Sequence, residues 1–474
     1  MADILRRPSA LIAAALAAVV AAPGAGRAAE PGDTAFRVML KEMVETDTSF
    51  ATGDCTALAT KIAARMRAAG FPASDLQVLV PEGAPKAGNL VAVLPGRDPA
   101  AKPVLMLGHI DVVNARREDW TRDPFILIEE EGELYGRGVS DMKAQDAIWA
   151  DNMVRYHDEG YRPARTIKMA LTCGEESGGF PNGASWLAQN RRALIDAGIA
   201  LTEGGGGELD PDGRKVAVTV MAAEKTSANF TLEVTGPGGH SSKPRPENAI
   251  VILGQALGRL GGLSFPTQFN DFNRAYLTAI APRVDAETGA AIRTLLADPQ
   301  DPAANAVIDR SVSRRAMLRT TCIPTLVEGG HASNAQPQRA RATINCRLLP
   351  GSPLAPVEAA MVQAIGDPRV KVTGPPPSPP RQSPPPLTPQ VMEPIRAVAA
   401  KVHPGVPVTP MQETFGTDSG RLIAVGIPTY GFSGLFRGDD AGNIHGLNEH
   451  ISVRSVMDGR DFLYRLVKAY AEQK

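Results

Sequence analysis

The chain has 474 residues, 43% of them hydrophobic, and a formal net charge of −1. That length supports two or three domains with real cores. The near-neutral balance gives no reason to expect nucleic acid or an anionic membrane surface as a partner.

The N-terminus stands apart. Arg6-Arg7 precede an alanine-rich apolar run over residues 10–22, then Pro23, Gly24 and small residues as far as Ala29. A basic start, a short apolar run and small residues read as a secretory signal peptide over residues 1–29, cleaved somewhere within 25–29. The run is short for a membrane span, and no later segment is long and apolar enough for one. The expected mature protein is soluble and exported, in a bacterium to the periplasm. Its four cysteines are too few and too scattered for a disulfide scaffold. Cys322 and Cys346 fall in neighbouring strand-like runs that could pair, and Cys173 reads as a small buried residue.

Residues 33–70 carry apolar side chains at helical spacing, and 76–80 and 89–94 are short strands. A branched apolar strand then leads to Gly108-His109-Ile-Asp111. His109 and Asp111, two apart, project from one face of an extended chain, as suits a metal ligand and the carboxylate that fixes its tautomer. Ser140-Asp141 opens a helix over 142–157, where Asp141 also suits an N-cap. The strand 167–172 ends in Cys173-Gly-Glu175-Glu176-Ser-Gly-Gly, and two adjacent carboxylates at a strand end call for a cation. A helix over 183–197 and a strand over 199–202 lead to Glu203, four glycines and Glu208. Strands alternating with helices predict a mostly parallel α/β sheet, whose ligands gather beyond the strand C-termini.

The texture changes at residue 226. An alternating strand (229–235), the loop Gly236-Pro-Gly-Gly-His240-Ser-Ser, a helix (247–260) and strands at 318–326 and 341–348 flank an uninformative stretch, 264–315. Gly329-Gly-His331-Ala-Ser-Asn334 joins the last two strands. This reads as a small α+β domain inserted over residues 226–350, with edge strands that could pair with a second copy. The first part of the larger domain is then 30–225 and the second 351–474. The second part has a proline-rich connection over 374–389, the loop Glu413-Thr-Phe-Gly416-Thr417-Asp-Ser-Gly, and Asn443-Ile-His445-Gly-Leu-Asn-Glu449-His450. His157 reads as a helix-end residue, His331 and His403 as solvated loop residues, and His450 as structural.

Two imidazoles and three carboxylates (His109, Asp141, Glu176, Glu203, His445) suit a pair of divalent ions, zinc before cobalt or manganese, with Asp141 bridging. Glu175, beside a ligand but not needed as one, is placed to take a proton from the attacking water. In order, the motifs Gly108-His-Ile-Asp111, Gly138-Val-Ser-Asp141-Met-Lys, Glu175-Glu176-Ser-Gly-Gly, Glu203-Gly-Gly, Gly239-His240-Ser-Ser and His445-Gly-Leu-Asn-Glu449 resemble the M20 metallopeptidase family. That family includes glutamate carboxypeptidase, succinyl-diaminopimelate desuccinylase, aminoacylase-1 and carboxypeptidase S. The resemblance implies a two-zinc catalytic domain with an inserted dimerisation, or lid, domain. His109 and Glu203 would hold one ion, Glu176 and His445 the other, with Asp141 shared. Glu175 would be the general base, Asp111 would orient His109 from its free ring nitrogen, and His240 would reach the partner subunit's site to steady the oxyanion. Arg347, Asn334, Gly416 and Thr417 resemble groups that hold a substrate carboxylate. The implied activity is cleavage of N-acyl amino acids or short peptides beside a residue with a free carboxylate, by a homodimer. An aminopeptidase-like di- or tripeptidase is the alternative within enzymes, and a periplasmic zinc- or peptide-binding protein the alternative outside them.

Overall fold

The computed structural model describes residues 32–176, 178–376 and 384–473. The signal-peptide segment and most of the middle of the proline-rich connection lie outside the described residues.

The chain is organised on a ten-stranded mixed sheet. Its middle is parallel: Ile167–Thr172, Val104–His109, Ile199–Thr202 and Thr429–Gly431 lie side by side. Asn89–Leu94 and Leu76–Leu79 add an antiparallel edge. On the other flank Lys215–Glu224 runs antiparallel to Gly206–Leu209 and parallel to Val408–Glu413. Parallel strands need cover on both faces, which is why Val104–His109 and Ile167–Thr172 are buried along their whole length. Side chains alternate between the two covers. Val104 and Met106 belong to the core that the helices Asp33–Glu45, Cys55–Ala68, Ala144–Asp158 and Val453–Ala471 cover. Leu105 and Leu107 face Leu187 and Leu422, on the helices Gly183–Asn190 and Ser419–Ala424. Because the central strands are parallel, His109, the Glu175–Glu176 loop and Glu203 emerge at one edge of the sheet.

A second, four-stranded sheet is ordered Thr321–Gly329, Arg339–Leu348, Thr226–Thr235, Lys371–Thr373. Alternate residues of its two central strands are buried against the helices Ala249–Leu260 and Leu354–Ile365. The expected boundaries of the inserted unit need two corrections. Helix Leu354–Ile365 and strand Lys371–Thr373 belong to the small sheet, so the unit continues past residue 350. The helices Asp271–Ile280, Ala286–Ala297, Pro302–Ile308 and Val312–Leu318, which fill the uninformative stretch, pack on Val216 and Ala217 of the large sheet. Their N-caps Asn270, Asp285, Asp301 and Ser311 each accept a backbone N–H, so the helices are set locally, but their destination depends on distant strands.

The cysteines follow expectation at one pair and depart from it at the other. Cys322 and Cys346 are directly opposed on antiparallel strands and bonded. Cys173 is bonded to Cys55, tying the loop that carries the glutamate pair to the start of helix Cys55–Ala68. His403 is buried, its ring stacked on Phe462 and its Nδ1 facing Lys215 Nζ at 3.1 Å. Burial and that lysine pull its pKa down to about 4. Among the described residues no helix is long and apolar enough to cross a membrane.

Candidate metal centre

His109 is the last residue of its strand and is buried. A side chain at Gly108 would place its Cβ 1.9 Å from Asp146 Oδ1, so glycine is what lets the helix beneath approach the strand end. His109 Nδ1 lies 3.1 Å from the backbone oxygen of Asp111, which directs Nε2 at the carboxylates: Asp141 Oδ1 at 3.2 Å and Glu203 Oε2 at 3.7 Å. The expected partner of His109 is thus the Asp111 carbonyl, its carboxylate being farther away at 3.8 Å. That carboxylate instead accepts the backbone N–H groups of Glu175 (3.2 Å) and Glu176 (3.0 Å), fixing the loop that bears the glutamate pair.

Asp141 is not a helix cap. Its backbone is extended (φ −128°, ψ 96°), and the helix begins later, at Ala144. The side chain turns into the cleft, where Oδ1 faces His109 and Oδ2 faces His445 Nε2 at 3.3 Å. His445 Nε2 is also 2.8 Å from Glu176 Oε1. Two triads result, His109–Asp141–Glu203 and Asp141–Glu176–His445, each with its ligand atoms within 4.8 Å of one another. Glu208 is engaged elsewhere, with Arg314 and the Tyr276 hydroxyl, which leaves Glu203 as the carboxylate in the cluster.

Glu449 registers these loops, a role the sequence reading missed. Its buried carboxylate accepts backbone N–H groups from Gly138 (2.9 Å), Ser140 (2.8 Å) and Asp141 (3.0 Å), and pairs with Arg137 at 2.8 Å. Arg137 in turn donates to the Gly446 carbonyl at 2.9 Å. One ion pair therefore joins the Asp141 turn to the loop of His445, a residue held at φ 63°. A non-glycine residue in that region costs about 1–3 kcal/mol and needs such support. The signal was the glutamate that closes the His445 motif.

Of the remaining predicted residues, Glu175, Arg347, Gly416 and Thr417 line the same cleft, a cavity of about 1390 Å³. Arg347 lies on the small sheet opposite Ser227, and the Thr417 hydroxyl donates to Glu224. His240 and Asn334 are not among the lining residues. They sit together on a two-stranded piece of the small unit, where Gly239–His240 pairs with Ala335–Gln336. The Ser242 N–H donates to His240 Nδ1 at 3.1 Å, which leaves a neutral ring its proton on Nε2.

Without cations the cluster is a proton store. Burial, then Glu203, pushes Glu175 up to about 10, and burial pushes Glu203 up to about 8. Burial would lower both imidazoles, but their carboxylate neighbours outweigh it: His109 is raised, and His445 is raised to about 10 by Asp141 and Glu176. Burial would raise Asp141, yet its bonds to both histidines lower it. At pH 7 the imidazoles therefore hold protons that a cation must displace, so metal uptake should release protons and the apparent affinity should rise with pH. Calorimetry of metal binding in buffers of different ionisation heat checks this; heats that do not vary with buffer would contradict it.

A strand-end His/Asp/Glu cluster on an α/β sheet, with a second sheet beside it, suits a metal-dependent hydrolase. Residues 105–469 match the family model Peptidase family M20/M25/M40, and the chain belongs to that family. It is 29% identical over 390 residues to the N-fatty-acyl-amino acid synthase/hydrolase PM20D1 of Homo sapiens, covering 79% of this chain and 75% of that protein. It is 27% identical over 396 residues to the probable carboxypeptidase S-like 2 of Dictyostelium discoideum, covering 80% and 74%. The M20 family metallo-carboxypeptidase Sso-CP2 of Sulfolobus solfataricus shares the fold, with a TM-score of 0.66, 19% identity, and coverage of 92% of this chain and 99% of that one. The chain is accordingly an M20 metal-dependent hydrolase of carboxypeptidase-like type.

Proposed function

We propose that this is an exported two-zinc amidohydrolase cleaving N-acyl amino acids or small peptides next to a residue with a free carboxylate. The observation that carries the reading is Asp141, whose two oxygens face two different triads, as a ligand shared by two ions must. Zinc ions, or cobalt or manganese in their place, held by His109, Glu203, Glu176, His445 and Asp141 would polarise the scissile carbonyl and acidify a water. Glu175, held by Asp111 through its backbone, accepts the proton of the attacking water and passes it to the leaving nitrogen. Arg347 holds the substrate carboxylate in a two-point contact from the lid side of the cleft, and Gly416 and Thr417 line it from the large domain. Glu224 in the same cleft favours the alternative, an anchored amino group.

A matched panel separates the two. N-acyl amino acids and dipeptides, each with a free or an amidated C-terminus, are incubated with the zinc-loaded protein and with a chelator. Cleavage confined to free acids and abolished by chelation is expected; cleavage of amidated compounds with free amines would favour the alternative.

Export is supported by the Arg6-Arg7 segment and by two disulfides, which persist in oxidising compartments. A homodimer is supported by the edge strand Thr321–Gly329, which exposes Ile323, Leu326 and Val327. In that assembly His240 and Asn334 serve the partner's cleft, and the His240 Nε2–H donates to the tetrahedral oxyanion. Val327→Lys should yield monomers by sedimentation and, with them, a fall in kcat like that of His240→Ala. A monomeric wild-type protein with full activity would overturn this reading.

A further inference from the structure

We infer that Arg437 forms a second carboxylate subsite in the cleft, so that the preferred substrates are N-acyl amino acids carrying another acid group besides the α-carboxylate. The inference rests on the hydrolase reading above. Arg437 lines the cleft from the short strand Phe436–Arg437, paired with Gly207 and Glu208. Its Nε donates to Ser140 Oγ at 3.0 Å, Nη2 to the Ser140 carbonyl at 2.8 Å, and Nη1 to Ser433 Oγ at 3.5 Å. All three acceptors are neutral. A guanidinium has five N–H donors, so two are left over. Among the described residues no carboxylate comes within ion-pair distance of it.

The carboxylates whose charge acts on it are already committed, Glu449 to Arg137 and the Asp141 turn. Asp141 and Glu203 belong to the metal triads, and Glu413 accepts the Gly205 N–H at 2.9 Å. Arg314, the other cation beside Glu208 in this part of the cleft, is paired with that glutamate. Arg437 is thus a largely buried cation whose plane is fixed by two serines and whose remaining donors have no protein partner. A fork held in place before binding loses little entropy when a carboxylate arrives and meets it bidentately. It is a different wall from that of Arg347, which stands on the lid sheet opposite Ser227. Because Ser140 precedes Asp141, an acid held by Arg437 lies close to the reacting carbonyl. Either the end of a short acyl chain or an acidic side chain of the amino acid meets that requirement.

Four substrates decide the matter with the zinc-loaded enzyme: N-butyryl-leucine against N-succinyl-leucine, and N-butyryl-glutamine against N-butyryl-glutamate. In one pair the acid compound should show a kcat/KM at least about tenfold above its neutral counterpart, the gain expected of a charge-assisted bidentate contact. That pair identifies whether the acid comes from the acyl chain or from the side chain. Arg437→Gln should slow all four compounds, since it also releases Ser140, but it should bring the acid-to-neutral ratio down to about one; Arg437→Lys should restore part of the ratio. Ratios near one in the wild type, or a ratio unchanged in Arg437→Gln, would overturn the subsite while cleavage of the butyryl compounds leaves the hydrolase reading standing. Failure to cleave any of the four would remove both.

Discussion

Glu175→Gln should retain its full metal content and lose about three orders of magnitude in kcat, within the range that general acid–base catalysis supplies. The substitution keeps shape and removes only the ability to carry a proton. The loop should not move, because Asp111 holds it through the backbone N–H groups of residues 175 and 176. Neither metal triad includes Glu175, so ion binding has no reason to weaken. The protonation argument runs the same way. Burial and Glu203 keep the Glu175 carboxyl protonated in the cation-free protein, near 10, and it becomes a base only once the charge of its carboxylate neighbours is balanced. Single-turnover rates beside metal analysis check this. A variant that turns over at near-normal rate would remove Glu175 from proton transfer, and one that loses metal would show that it supports the ligands instead.

The strand ends were legible because they are local. A branched apolar run closed by glycine and histidine, or by two glutamates, states its own burial and exit, and parallel strands bring such exits together. The M20 resemblance supplied the pairing of ligands into two triads, and the structure brings those residues together in two such groups. What escaped depends on partners far apart in sequence. Cys55 and Cys173 are separated by 118 residues, and nothing near either one signals the other. The helices of the stretch 264–315 have readable caps but rest on strands of the large sheet. His403 looked like a loop residue because the aromatic rings that enclose it, Phe436 and Phe462, come from elements that follow it. The cap reading that Asp141 also allowed fails because the turn is held open by Glu449, some 300 residues away.

That dependence makes Glu449→Ala the most damaging single change outside the ligands themselves. The mutation removes one side chain and strands four donors: Arg137, and the N–H groups of Gly138, Ser140 and Asp141. Arg137 is 2% exposed, so its charge cannot turn to water without dismantling the loop around it. Breaking a buried pair from one side costs about 3–5 kcal/mol, a large share of the stability of any domain. Glu449→Gln should cost less, since the amide oxygen still accepts, but its NH₂ then faces donors where an acceptor stood. Denaturant unfolding of the chelated proteins measures the loss without a metal contribution, with Ala below Gln below wild type. Metal binding gives the second readout. Glu449 touches no ion, yet it sets Asp141 through the backbone and His445 through Arg137 and Gly446, so both variants should bind metal more weakly than the wild type. Unchanged stability together with unchanged metal affinity would mean that the two loops are held by their own backbones, and that the Arg137–Glu449 pair is incidental to the site.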